Sequence, residues 1–270
     1  MDTVPFKFYD SVVSAIDDFD HLPELVSALP GHNLWKSVME NHLSKRQKIQ
    51  IRFGGENNKL EDLRRINKKY LRIFEIIWLG DSLSANEIEV LKYVKEFGQC
   101  SYVCMSNQNR YPTSEEIERF AEYFKDISLY AFTLQYPYEA FLLHHAQSHV
   151  IKRIELTGDG WSKEVQPVIE EILLAIPFEF AHIGECFVFG NDFLEKLFDV
   201  PCLSVEKKHF GLNIASETFN GFCDFRPNLQ IEKTEAAEKK VIWKRDDGVQ
   251  VLMRQTSYSW TMFEFLKKTV

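Results

Sequence analysis

The chain has 270 residues, of which 45% are apolar and 27% charged, a balance that excludes disorder, collagen-like repeats and supercharged tails. Its length suits one large domain or two small ones, and 22 Phe, 10 Tyr and 5 Trp supply ample core material. With 40 acidic against 32 basic residues the net charge is −8, which argues against general nucleic-acid binding, since a phosphate backbone is met by clustered Lys and Arg.

The first segment, 1–46, reads as three short helices. Phe8, Val12, Val13 and Ile16 form an amphipathic stripe, and Leu22, Leu25, Val26 and Leu29 form a second that Pro23 opens and Pro30-Gly31 closes. Leu34, Trp35, Val38, Met39 and Leu43 form a third, running into the basic stretch Lys45-Arg46-Gln47-Lys48. Three short helices make a very small core, so this module is expected to lean on a neighbour or a partner.

Residues 47–215 follow another rule: short extended runs alternate with helical ones. The runs are Ile49–Phe53, Ile73–Trp78, Ser101–Met105, Leu129–Leu134, Ile151–Leu156 and Phe180–Val188. The helices are expected over Lys59–Tyr70, Ser84–Phe97, Ser114–Lys125, Pro137–Ser148, Ser162–Ile176 and Asp192–Phe198. Ser84 with Glu87 and Thr113 with Glu116 have the spacing of capping boxes. Strand starts recur every 20 to 30 residues or so, the period of a β-α solenoid, without an L-x-x-L-x-L-x-x-N signature.

In 216–270 the rhythm is lost. Val241–Arg245 and Val249–Arg254 around Asp246-Asp247-Gly248 read as a β-hairpin, since Asp-Gly supplies the positive backbone angles of such a turn. Phe219–Phe225 reads as a further strand, Thr234–Lys240 as a charged linker or short helix, and Trp260–Leu266 as an apolar segment docked on the last repeat.

The N-terminal segment resembles a divergent F-box of the lineage-expanded nematode type. Val4-Pro5 stands where that motif opens with Leu-Pro, Phe8, Val12, Val13 and Ile16 follow at its helical spacing, and Trp35 takes the place of its late tryptophan. The motif covers about a sixth of the chain; the rest matches in architecture, a leucine-rich-repeat-like body behind an F-box. The resemblance implies a non-enzymatic substrate-recognition subunit of a cullin-RING ubiquitin ligase. Its head would dock a Skp-type adaptor, and through it the cullin complex, by Val4, Pro5, Phe8 and Val12, while the repeats hold an unidentified protein target. On the exposed strand face Gln50, Arg52, Lys152, Arg153 and Glu155 are the candidate polar readers of that target.

Sites for chemistry are sparse. His145 and His149 lie four apart on an expected helix near His144, but no carboxylate has the spacing of a metallohydrolase, and a solvated or helix-end histidine group is the preferred reading. Cys100 and Cys104 share one strand face and read as buried thiols. The cysteines number five with no Cys-x-x-Cys pair, which points to a reducing, cytoplasmic or nuclear, compartment. No run approaches the roughly 18 apolar residues of a membrane span, and no secretory signal is seen. Gly54-Gly55 and Gly158-Asp159-Gly160 complete no phosphate-loop motif and read as turns. Arg64-Arg65 with Lys68-Lys69 is a second basic stretch, read like the first as a solvated face. No cofactor, metal, nucleic acid or membrane partner is expected. Two alternatives stand beside the adaptor reading: a TIM-barrel-like enzyme with Glu56, Asp81, Asn107, Asp159 and Asp192 at its strand ends, and a repeat module that binds proteins without any ligase.

Overall fold

The computed structural model describes residues 6–15, 21–29, 31, 33–54, 60–80, 82–96, 99–107, 110–125, 127–146, 151–175, 179–184, 187–199, 207–213, 229–233, 239–244, 249–255 and 260–267. Helices α1 (Phe6–Ala15), α2 (His21–Ala28) and α3 (Leu34–Lys45) come first. Strand and helix then alternate as β1 (Gln47–Phe53), α4 (Leu60–Arg65), β2 (Leu71–Trp78), α5 (Ala85–Lys95), β3 (Gln99–Met105), α6 (Ser114–Phe124), β4 (Ser128–Gln135), α7 (Glu139–His145), β5 (Arg153–Thr157), α8 (Gln166–Leu174), β6 (Phe180–Ile183), α9 (Asn191–Asp199) and β7 (Lys207–Asn213). Four strands close the chain: β8 (Leu229–Lys233), β9 (Lys239–Lys244), β10 (Val249–Gln255) and β11 (Trp260–Lys267).

Among the described residues eleven strands join one mixed sheet in the order β1-β2-β3-β4-β5-β6-β7-β11-β10-β9-β8. The first seven are mutually parallel and stacked in chain order, each crossover carrying a helix. The last four are antiparallel and join the parallel part through β11 against β7. Among the described residues β1 and β8 pair on one side only, so the sheet is open. The barrel alternative is thereby corrected: a closed ring requires the first and last parallel strands to meet, and here β7 is followed by β11 instead.

One alternating apolar face carries the core. Ile51, Phe53, Ile76, Trp78, Val103, Met105, Phe132, Leu134, Ile154 and Leu156 are buried under Leu91 and Val94 of α5, Phe120 and Phe124 of α6, Phe141 of α7 and Leu173 of α8. Phe120 lies flat on Trp78, ring centroids 4.3 Å apart at 16°, and edge-on to Phe53 at 6.1 Å. The same core runs on into Phe210 and Leu212 of β7 and Val251 and Met253 of β10.

The buried positions repeat with a spacing of three and then two: Ile73, Ile76, Trp78; Cys100, Val103, Met105; Leu129, Phe132, Leu134; Ile151, Ile154, Leu156. A step of three breaks the strict alternation of a strand, and in β2 it coincides with an irregularity that leaves Phe74 unmatched between Ile73 and Glu75. This is the apolar frame of the L-x-x-L-x-L spacing, written with Ile, Val, Met, Cys, Phe and Trp in place of most leucines.

Helix starts follow the sequence signals. Ser84 and Thr113 both form complete capping boxes, with Glu87 and Glu116 returning the bond to the cap backbone. Glu116 also takes Arg110 on both guanidinium nitrogens and Ser82 Oγ at 2.7 Å. The Arg110 guanidinium first, then the Thr113 backbone, hold the Glu116 carboxyl down at about 2. That tie draws the segment after β3 over Gly80, whose φ of +85° and whose distance from the Arg110 carbonyl, 2.5 Å from where a Cβ would stand, leave room for glycine alone.

Four expectations need correction. The extended run Phe180–Val188 ends as a strand at Ile183. The parallel set has a seventh member, β7, whose sequence Lys-Lys-His-Phe-Gly-Leu-Asn has only two apolar side chains in the core, Phe210 and Leu212. Lys239 and Lys240, read as part of a charged linker or helix, pair with Gln255 and Arg254 in β9. Tyr9, absent from the expected first stripe, is buried, whereas Phe8 is exposed. The expected strand Phe219–Phe225 lies outside the described residues, as do Val4, Pro5, Glu56, Asp81 and His149.

Candidate functional surfaces

The three-helix head has its own small core, separate from the main one: Tyr9, Val13, Leu22, Val38 and Met39, with Trp35 edge-on to Tyr9 at 4.5 Å. Tyr9 and Val13 are four apart, so they share the inward face of α1. Phe8 and Val12, four apart and one position earlier, turn outward: Phe8 is 53% exposed and Val12 half-buried. Phe6 at 51%, Leu25 at 41% and Leu34 at 44% are exposed as well. Thus four of the eight exposed large apolar side chains among the described residues sit on the first three helices. The described core of the head leaves these four side chains uncovered.

The head is tied to the sheet by charge. Asp10 of α1 takes both carboxylate oxygens to Lys69 Nζ in the turn before β2, and accepts from His42 Nε2 of α3 at 2.9 Å. Lys69 first, then His42, lower the Asp10 pKa, and the bond to Asp10 raises that of Lys69. His42 is fully buried and burial pulls its pKa down, so it is the neutral imidazole that donates from Nε2. Arg46 donates to the Val13 carbonyl at 2.6 Å and Arg72 to the Ser14 carbonyl at 2.8 Å, satisfying carbonyls that the end of α1 leaves open.

The second surface is the sheet face opposite the core. Strand pairing sets its residues in rows: Gln50, Glu75, Tyr102, Ala131, Arg153 and Phe180 in one, and Arg52, Ile77, Cys104, Thr133, Glu155 and His182 in the next. Four of the five target candidates therefore share this face. They do not form one site, because β1 and β5 are four strand spacings apart, about 19 Å at the usual separation. Lys152 belongs to a third group just before β5, where its Nζ pairs with Glu179 at 3.2 Å and lies 5.1 Å over the Tyr130 ring, while Tyr130 donates to Glu179 at 3.1 Å.

Several of these side chains are already engaged. Gln50 donates to Glu75 across β1 and β2. Tyr102 donates to Thr133 Oγ1 at 2.6 Å and Thr133 to Glu155 at 3.0 Å, a relay over three strands that fixes the Glu155 carboxylate. Burial pushes the Tyr102 hydroxyl up to about 12, so it donates throughout the ordinary pH range. Arg52, Arg153 and His182 are exposed. Phe74, Tyr102, Tyr130 and Phe180 add aromatic area that the sequence reading missed. The signal for Phe74 was the step of three in the apolar spacing, which turns the extra residue away from the core.

The remaining candidates are structural. His145 is buried against Phe141 with its Nε2 lacking a hydrogen-bond partner among the described residues, and burial draws its pKa down to about 4; His144 is exposed. Cys100 and Cys104, expected on one strand face, lie on opposite faces because of the step of three: Cys100 is in the core with its thiol pushed up to about 12 by burial, and Cys104 is half-buried in the outward row, its thiol also raised by burial. Among the described residues no group of three or more His, Cys, Asp or Glu side chains is arranged to hold a metal ion. Gly158 and Gly160 have positive φ, and Trp161 donates back to the Thr157 carbonyl at 3.1 Å, a turn. Gly54 donates its N–H to Glu87 at the start of α5. Asn107 ties the segment after β3 to the one after β4, its Nδ2 donating to the Tyr136 carbonyl and its backbone N–H to Gln135 Oε1 at 3.0 Å. Among the described residues no helix is long and apolar enough to cross a membrane. No family model matches the chain, and no curated protein matches it.

Proposed function

We propose that the protein is a non-enzymatic substrate-recognition adaptor of a cullin-RING ubiquitin ligase. The three-helix head is an F-box-like module for a Skp-type adaptor, the β-α body is a leucine-rich-repeat-like solenoid, and its open sheet face holds a protein target. One observation carries the reading: Phe6, Phe8, Leu25 and Leu34 lie exposed on a head whose core has five buried apolar side chains among the described residues. The three-then-two apolar spacing and the chain-order stacking of seven parallel strands support the body reading. The Asp10, Arg46 and Arg72 ties favour a fixed head, so a target held on the sheet is presented to the ligase at a set distance and high effective concentration.

The test is capture of a purified Skp-type adaptor by the full chain. The wild type retains it, and Phe6→Ala/Phe8→Ala releases it while far-UV circular dichroism stays unchanged. Failure of the wild type to retain any Skp-type adaptor overturns the ligase reading. A module that binds proteins without a ligase would then be the surviving account of the open face.

A further inference from the structure

The two basic stretches of the sequence are separated by some twenty residues, yet parallel pairing of β1 with β2 aligns Gln47 with Leu71 and so brings the ends of α3 and α4 together. There they frame a cleft of about 580 Å³, lined by Lys45, Arg46, Gln47, Arg65, Asn67 and Tyr70 among others. Three of its lining residues are cationic and none is a carboxylate, in a chain whose net charge is −8. The cations are held in place. Lys45 Nζ lies 5.6 Å from the centre of the Tyr70 ring, while Arg46 is fixed on the Val13 carbonyl. Arg65 pairs with Asp62 at 3.3 Å, but both are largely exposed, so solvent screens that pair and an incoming anion can compete for the guanidinium.

We infer that this cleft binds an acidic, carboxylate-rich peptide segment of a partner protein. Charge complementarity sets the sign of the ligand. The form of the cleft selects a peptide over a compact phosphate, because α3 and α4 end there. The cleft is built on two helix C-termini, where Lys45 and Arg65 in the last turns offset the negative dipole ends that would otherwise repel any anion, and not on the helix N-terminus or nest of backbone N–H groups that compact phosphate sites use. Recognition here falls to long side chains, with Gln47 and Asn67 as further donors. The site lies at the junction of head and sheet, apart from Phe6 and Phe8 and from the open face, so it would serve a third contact.

The test uses the full chain and a fluorescein-labelled octapeptide of glutamate, followed by anisotropy at low salt, with the matching glutamine octapeptide and inorganic pyrophosphate as comparisons. The glutamate peptide binds and the glutamine peptide does not. Lys45→Ala/Arg65→Ala weakens binding at least tenfold, whereas Lys92→Ala/Lys163→Ala, exposed cations elsewhere, leaves it within twofold. Equal loss in both double variants means diffuse attraction and overturns the proposal, as does no binding of the glutamate peptide. Saturable pyrophosphate binding that depends on Lys45 and Arg65, with no peptide bound, would make it a phosphate site instead and also overturns it. Adaptor capture reports on Phe6 and Phe8 alone, so the two proposals fail separately.

Discussion

Replacing Asp10 tests whether the head is a fixed part of the molecule. Its carboxylate is 22% exposed and takes three hydrogen bonds, two from Lys69 and one from His42. Lys69 is 31% exposed, so the ion pair is screened and contributes only about 1 kcal/mol. His42 is fully buried, and leaving its Nε2–H without an acceptor costs a further 1–3 kcal/mol or so. Asp10→Ala should therefore destabilise the head by about 2–4 kcal/mol, and Asp10→Asn, which keeps an acceptor for His42, by about half as much. Hydrogen exchange resolved to α1 and α3 is the assay, because it reads opening element by element and the head has a core cluster separate from that of the sheet. Protection in both helices falls with each variant, and protection in β3–β5 does not. A double-mutant cycle of Asp10→Ala with Lys69→Ala should give a coupling near 1 kcal/mol. Unchanged exchange in α1, or coupling within about 0.3 kcal/mol of zero, refutes the latch.

Three further outcomes follow from the core and its margins. Phe120→Ala removes the ring between Trp78 and Phe53 and should cost about 3–5 kcal/mol in urea denaturation; a cost under 1 kcal/mol or so would mean that this interface is loosely packed. Gly80→Ala meets both a positive φ and the Arg110 carbonyl, and should lower stability by about 1–3 kcal/mol, read as a drop in Tm; an unchanged Tm contradicts the close approach. His145 has a folded pKa of about 4 against 6.5, so it stays neutral in the fold while the unfolded chain takes up a proton. Stability is then fully present above pH 6.5 and falls as pH drops toward 4, by about 2 kcal/mol at pH 5 from this residue. His145→Gln should flatten that part of the stability-against-pH curve, and an unaltered slope would show that His145 is open to water.

Local signals carried most of the framework. The two capping boxes, the Asp-Gly between β9 and β10 and the alternation of extended and helical runs are short-range chemistry, and each leads to an element close to its expected place. The misses share a cause, the reach of tertiary contacts. Tyr9 and Phe8 differ by one helical position, and only the placement of Trp35 and Val38 decides which ring goes inward. β7 has few apolar residues and gains its place from pairing with β6 on one side and β11 on the other. Of the sites, the exposed polar strand positions were legible from alternation, since polar residues between apolar ones face outward. Their division into separate groups was not, because strand order and register are absent from any local pattern. The convergence of the two basic stretches was hidden for the same reason: each alone is a solvated helix end, and only the β1–β2 pairing makes them one cleft.

The most direct measurement is a calorimetric titration of a Skp-type adaptor into the full-length chain, in parallel with Phe6→Ala/Phe8→Ala and with Arg52→Ala/Arg153→Ala. A single-site isotherm is expected for the wild type, unchanged by the sheet-face variant and lost in the head variant. A wild-type isotherm that the head variant leaves intact, or heat lost only when Arg52 and Arg153 are removed, would contradict the assignment of the exposed head side chains to the adaptor.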